Sequence, residues 1–481
     1  MRQADEQESE TEMETEIETK GNIGSTEQNA AETARQKRYI YMTQTPIKRL
    51  IIDLSIPTII SMLVSGLYNM ADTFFVGKLS TQATAAVGIV FSIMAIIQAV
   101  GFFCGHGSGN YMSRRLGAGD VKEASEMAAT GFVLAFILGG LILVLGIIFL
   151  KPLSIFLGAT PTMLKETQDY MRIILIGAPY MTAQLVINNQ LRFQGSAMYA
   201  MVGLVSGAVI NVGLDPLFIF TCGMGVSGAA LATILSQFIS FCILFAGSQK
   251  GANIRFNLKN VRFSRHYMLQ IVNGGTPSLC RQGLNSIATI IMNTMAGTLG
   301  GVAAIAGMSI VTRVMLLANS ALIGFGQGFQ PVCAFNYGAD LKERVRKSFW
   351  FCVKYGTIFL IVMAVLCGVF STEIITFFRK DPDVIAVGSV ALRIQALVFP
   401  LNAFIIMANM MLQSIGKGVK ASVLAASRSG LFFIPFILIL SYIFGLFGVE
   451  ITQTCSDICT FAISIPMAAS ELRKMKSNGK N

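Results

Sequence analysis

Twelve apolar stretches leave this chain very few ways to fold: 50–77, 83–111, 127–150, 168–189, 198–220, 225–247, 269–296, 302–333, 348–370, 385–412, 421–443 and 447–470. A helix rises 1.5 Å per residue, so each stretch can cross a hydrocarbon layer of roughly 30 Å. Inside such a layer no water satisfies the backbone, and a helix is the structure that satisfies its own N–H and C=O groups. The expected fold class is therefore an all-α integral membrane protein with twelve transmembrane helices. Composition agrees. Only 13% of the residues are charged, against roughly 25% in soluble domains, which argues against an ordinary soluble enzyme.

The formal net charge is +11, yet its placement argues against a nucleic-acid-binding surface. Residues 1–45 read as a disordered acidic N-terminal tail, rich in Glu and nearly free of aromatics. The basic residues sit mainly between apolar stretches. Loops after the even-numbered stretches carry Arg114, Arg115, Lys122, Arg192, Lys250, Arg255, Lys259, Arg262, Arg265, Lys342, Arg344, Arg346, Lys347, Lys417, Lys420 and Arg428, with Arg473, Lys474, Lys476 and Lys480 at the C-terminus. The opposite loops hold Lys78, Lys151, Lys165, Arg379 and Lys380. Positive-inside asymmetry places both termini in the cytoplasm of a cell-membrane protein. The nine cysteines form no CxxC and read as packing residues, and His106 and His266 are the only histidines.

The chain repeats itself at about 220 residues. Pro57 pairs with Pro277, GHGSGN (105–110) with GFGQGF (324–329), AGDVKE (118–123) with GADLKE (338–343), and Gly195 with Gly416. Six spans per repeat is an even number, so the halves run in the same direction, related by an axis along the membrane normal. The expected boundaries are 46–250 for an N-lobe, 251–268 for an inter-lobe loop, 269–472 for a C-lobe and 473–481 for a basic tail. Two such lobes around a cleft suit alternating access.

Charges inside apolar sequence are costly and point to function. Asp72 and Asp215 fall at similar depths near the outer ends of spans 1 and 5. Asn211 lies one turn below Asp215, Tyr68 one turn below Asp72, and Thr233 reaches a comparable depth in span 6. Oxygen donors of this kind suit Na⁺, while two neighbouring carboxylates suit a shared proton. Pro57 removes a helical hydrogen bond and prepares span 1 to bend. Gln190, Gln194 and Gln327 are candidate cavity polars. Asp457 is expected to form a structural ion pair with Arg281, and Arg313 has no evident role. The 25 methionines read chiefly as packing.

The runs YNMADTFFVG (68–77), SRRLGAGD (113–120), NVGLDPLFIF (211–220) and GQGFQPVCAFNYGAD (326–340) resemble the multidrug and toxic compound extrusion (MATE) transporters, in the prokaryotic branch with DinF-like and MepA-like members. The likeness spans residues 46–470 in order. It implies a cation-coupled exporter of amphipathic, cationic small molecules, with H⁺ or Na⁺ as coupling ion and no other cofactor. It also implies a cation site at Asp72, Asn211, Asp215 and Thr233, which is a metal site where Na⁺ is the ion, with Tyr68 and Pro57 in gating. Another branch carries acids on helices 7 and 10; here those spans hold Arg281 and Arg393 and no acid, which places coupling in the first lobe. The expected protein is a monomeric antiporter. A lipid-linked oligosaccharide flippase is the alternative within transport, and an integral-membrane enzyme the alternative outside it, the latter disfavoured because two distant histidines offer no catalytic cluster.

Overall fold

The computed structural model describes residues 32–477 apart from 251–252, and at 69, 70, 72, 73 and 81 it describes the backbone without the side chain. Residues 1–31 and 478–481, and with them most of the acidic tail and the end of the basic one, lie outside the described residues. Among the described residues every regular element is helical.

The first six spans are Ile47–Gly77 (α1), Thr81–Gly117 (α2), Val121–Ile148 (α3), Leu164–Phe193 (α4), Ala197–Pro216 (α5) and Gly225–Ser248 (α6). A helical stretch of 74 residues follows, Arg265–Gly338. It would be about 110 Å long if straight, several times the thickness of a bilayer. Gly301, at φ 64° and ψ −158°, breaks it in a conformation open to glycine alone. It is thus two spans, 265–300 (α7) and 302–338 (α8). Lys342–Val369 is α9. The next span, α10, is a pair of helices, Pro382–Val398 and Leu401–Ser414, bent by 58° at Pro400, which cannot donate to the ladder. Gly418–Ala426 and Phe433–Phe444 form α11 around a π-turn at Ser427–Leu431, and Leu446–Ser477 is α12. Twelve spans result. They extend several residues beyond the apolar stretches, chiefly on the face that carries the chain termini, because arginines and lysines there continue the helix past its apolar core.

The halves superpose their contacts at a separation of 221 residues (338 less 117). A Cβ at Gly117 would strike the carbonyl oxygen of Phe335, and one at Gly338 would strike that of Arg114, so α2 and α8 cross backbone to backbone at the pseudo-symmetry axis. The Asn188 side chain donates to the Ala200 carbonyl at 2.9 Å, and Asn409 donates to Ala421 at 2.7 Å, the same bond 221 residues on. This register moves one sequence match by two residues. Gly107 on α2 meets the Ile271 backbone of α7 and Gly328 on α8 meets Ser55 of α1, so Gly107 pairs with Gly328 rather than Gly326. Glycines at alternate positions let the two motifs align at either offset.

The lobes touch on the terminal face and part on the other. On α8, residues 326–336 are buried without a break, while over 301–320 the buried positions recur every three or four residues. On α2, residues 104–113 are likewise all buried, and 83–97 are buried on one side. Helices enclosed all round at one end and half-covered at the other line a cleft open away from the termini.

Residues 32–44, expected within the disordered tail, are helical instead. Met42 is fully buried, Arg38 donates to the Gln194 carbonyl and Ser196 Oγ, and Asn336 of the other lobe donates to the Met42 carbonyl at 3.1 Å. The apolar run from Tyr39 to Met42 gives this helix a face to dock, which the acidic stretch before it lacks. At the other end α12 runs on to Ser477, with Met475 buried, so most of the expected basic tail is helix.

Overpacking of a tight crossing typically costs about 1–3 kcal/mol, here charged only to the state in which the lobes meet. Gly338→Val is therefore expected to part the lobes on the terminal face. Spin labels at the exposed Lys122 and Lys347 positions should report a longer distance in the variant; an unchanged distance distribution would count against this crossing.

Candidate functional site

Small residues bring α5 and α6 together. A Cβ at Gly203 would strike Leu244, and one at Gly207 would lie 2.8 Å from Ser240 Cβ. Ser240 Oγ donates to the Gly203 carbonyl at 2.7 Å and accepts from Gln184 of α4 at 2.7 Å. On this close-packed frame Asn211, Asp215 and Thr233 are all buried, at 1%, 0% and 2% exposure. Asn211 Nδ2 donates to Asp215 Oδ1 at 3.5 Å, across one helical turn, and Asn211 Oδ1 has no donor among the described residues. Pro216 follows at once and has no N–H to offer the Val212 carbonyl. The ladder then widens to a π-turn over Leu217–Thr221, with Cys222 N–H donating to the Leu217 carbonyl at 2.9 Å. Helix irregularities of this kind free backbone oxygens. The Asn211 amide and the Asp215 carboxylate thus lie one turn apart on one side of α5.

α1 packs along α5. Asp72 lies five residues before the end of α1, and its side chain is outside the described residues. Tyr68 is partly buried. Pro57 lies within α1 where the helix meets the other lobe: Thr58 Oγ1 donates to the Gly324 carbonyl at 2.6 Å. A bend at Pro57 would act directly on the lobe interface. Among the described residues no three His, Cys, Asp or Glu side chains gather as a metal cluster. The Asn211 amide beside Asp215 offers oxygen chemistry that fits a hard monovalent cation or a proton better than a transition metal.

Gln190 and Gln194 line a small pocket with Phe132 and Ile254. Gln190 donates to Ser108 Oγ and the Ala128 carbonyl, and Gln194 accepts from the Ile254 backbone N–H at 2.6 Å; both sit at the terminal end of α4. Gln327 of α8 accepts from Arg192 of α4, a bond between lobes. Arg192, at 4% exposure, was counted among loop charges from the sequence; it is instead buried at the lobe interface, where it also donates to Asn189. Arg114 behaves similarly, donating to the Ser414 carbonyl of α10 at 2.8 Å. Long helices carry these arginines past the last apolar residue and back against protein, which loop counting does not register.

In the second lobe Asp457 is buried at 3% exposure and does not pair with Arg281. Arg428 Nε meets its Oδ1 at 2.9 Å, and Asn402 and Gln453 complete the carboxylate at 3.2 and 2.8 Å. Arg428 too was counted as a loop charge. It lies ten residues into α11, inside the π-turn at Ser427–Leu431, which turns its side chain toward α12. The signal available in the sequence was its position beyond Gly418, a helix-starting site matched to Ala197 by the repeat.

The MatE family pattern matches residues 57–217 and 277–439, one block in each half. "Multidrug export protein MepA" of Staphylococcus haemolyticus (strain JCSC1435) is 28% identical over 433 residues, covering 89% of this chain and 94% of that one. The protein of the same name from Staphylococcus aureus (strain MSSA476) is 24% identical over 420 residues, covering 86% and 92%. A structure described as "Crystal structure of MATE in the bent conformation" superposes with a TM-score of 0.87 at 27% identity, over 92% of this chain and 99% of that one. Another, "Outward-facing conformation of a multidrug resistance MATE family transporter of the MOP superfamily", gives a TM-score of 0.85 at 28% identity, over 91% and 98%.

Removing one partner of a buried ion pair strands the other charge, at a cost of about 3–5 kcal/mol. Arg428→Met is therefore expected to lower the melting temperature of the detergent-solubilised protein markedly more than Arg281→Met. An equal or larger loss for Arg281→Met would return the ion pair to Arg281.

Proposed function

The chain belongs to the MatE family, and from that premise we propose that it is a secondary active multidrug efflux transporter, exchanging H⁺ or Na⁺ for amphipathic, cationic organic compounds. The observation that carries the reading is Asp215. It is a carboxylate with no exposed surface, one turn from the Asn211 amide, inside an apolar lobe where ionisable groups mark ion pathways.

The coupling ion reaches Asp215, Asn211 and Thr233, with Asp72 on the adjoining helix, while the cleft is open away from the termini. Its arrival favours the release of cationic cargo on that side. A ligand shifts such an equilibrium only through unequal affinity for the two states, so ion and cargo must oppose each other. Release of the ion on the other side restores the site for cargo. α1 is suited to carry the signal, because it passes beside α5 and then packs through Thr58 on α8 of the opposite lobe. The exposed basic residues of the terminal face, Lys122 and Lys347 among them, support a cytoplasmic position for that face in a plasma membrane. The protein works as a monomer, each lobe supplying one wall of the cleft.

Coupling free energies between sites usually amount to a 5–150-fold change in affinity. In proteoliposomes with Na⁺ and pH gradients imposed separately, Asp72→Asn and Asp215→Asn are each expected to lower gradient-driven efflux of a fluorescent organic cation by at least about tenfold, with folded protein still in the membrane. Undiminished efflux by both variants would sink the assignment of coupling to the first lobe.

A further inference from the structure

A cavity of about 250 Å³ lies inside the second lobe, between α7, α8, α10, α11 and α12, and the exchange at Asp215 makes no use of it. Its charged lining residues are Arg281, Arg428 and Asp457. Two of these neutralise each other across 2.9 Å. Arg281 has no hydrogen-bond or ion-pair partner among the described residues, so one guanidinium faces the cavity uncompensated. A guanidinium that faces a cavity inside a membrane-spanning lobe, with no counter-charge of its own among the described residues, is suited to meet an anion.

The remaining lining supplies complementary groups. The side-chain oxygens of Asn319, Asn402 and Asn409 are buried and accept no hydrogen bond. The amide nitrogens of Asn402 and Asn409 are already committed to Asp457 and to the Ala421 carbonyl, which fixes these oxygens as acceptors. Phe399, Phe433 and three methionines add apolar wall, adaptable because the thioether is flexible. Arg313, exposed on α8, shares a helix face with Gly324, which packs on α1. It therefore points across the cleft toward the lobe that holds Asp215.

We propose that this cavity holds the carboxylate, or an equivalent anionic group, of the transported compound, clamped by Arg281 while its N–H or O–H groups meet the asparagine oxygens. The cargo class is then amphipathic compounds that carry an anionic as well as a cationic group, matched to a cleft that is basic on one wall and acidic on the other. This deepens the exporter reading and rests on it for the direction of transport.

A matched pair of probes isolates the charge: a fluorescent xanthylium dye bearing a free carboxylate, and its methyl ester. Binding of each to full-length protein in phosphatidylcholine nanodiscs is read by fluorescence polarisation. Wild type should favour the acid, and Arg281→Gln should weaken the acid by about tenfold or more, the scale of one charge-assisted hydrogen bond. The same variant should leave the ester within about twofold, and Arg281→Lys should retain part of the preference. Equal binding of acid and ester by wild type, or equal weakening of both by Arg281→Gln, would overturn the proposal. Should Arg281→Gln fail to fold, the wild-type preference and Arg281→Lys still decide. Loss of acid binding on adding phosphatidic acid to the nanodiscs would assign Arg281 to a lipid head group and overturn the cargo assignment. Gradient-driven efflux of the ester by wild type reports separately on the exporter reading, because its absence would count against antiport and leave the acid–ester difference to judge Arg281.

Discussion

Two glycines set how close the lobes can come. At Gly117 and Gly338 the backbones of α2 and α8 meet with no room for a side chain, and the crossing lies on the axis that relates the halves. Because the contact is confined to one end of both helices, the other ends diverge and a cleft forms between them. The enclosed lengths of α2 and α8, 104–113 and 326–336, mark where protein packs against protein, and the half-buried lengths mark the walls of the opening. Arg114 on Ser414 and Arg192 on Gln327 then fasten the same end. Close crossings of α2 with α7 and α8 and of α1 with α8, with a few hydrogen bonds, make up the interface, and alternating access requires that this one end open and re-form.

The two lobes share a backbone plan and differ in charge. Each interrupts a helix by a π-turn, at Leu217–Thr221 in α5 and Ser427–Leu431 in α11, and each places an ionic group there. In the first lobe that group is Asp215, just before the turn, with Asn211 below it. In the second it is Arg428, inside the turn, neutralised by Asp457. A duplicated frame thus supplies two irregular places where polar side chains can be buried, and the side chains decide their use. One holds a carboxylate suited to a cation, the other a closed ion pair near Arg281, which has no counter-charge among the described residues.

The spans, their number and the duplication were all legible in the sequence. Apolar length is a one-dimensional property and needs no knowledge of neighbours. The nearness of Asn211 to Asp215, both buried, was legible for a related reason: an acid in the middle of an apolar run is costly wherever it faces, and 211 to 215 is one helical turn whatever surrounds it. Other readings depended on contact and went astray. The helix at 32–44 was absorbed into the acidic tail because its docking surface lies on the loop before α5 and on α8. Arg114, Arg192 and Arg428 were grouped with solvent-facing charges because the apolar core of each helix ends before them, although the helix and its burial do not.

A linear string determined that this chain is a twelve-helix, twice-repeated membrane protein with acidic groups in its first half, since hydrophobicity, period and repeat are summed along the chain. Only the folded arrangement decided which cation answers which carboxylate, which glycines touch, and which end of the cleft is shut. Those outcomes depend on side chains hundreds of residues apart arriving at the same place, as when Asp457 met Arg428 on a π-turn instead of Arg281 on α7. Partner choice is set by helix rotation and by local breaks in the hydrogen-bond ladder, and neither is written in the spacing of residues along a single span.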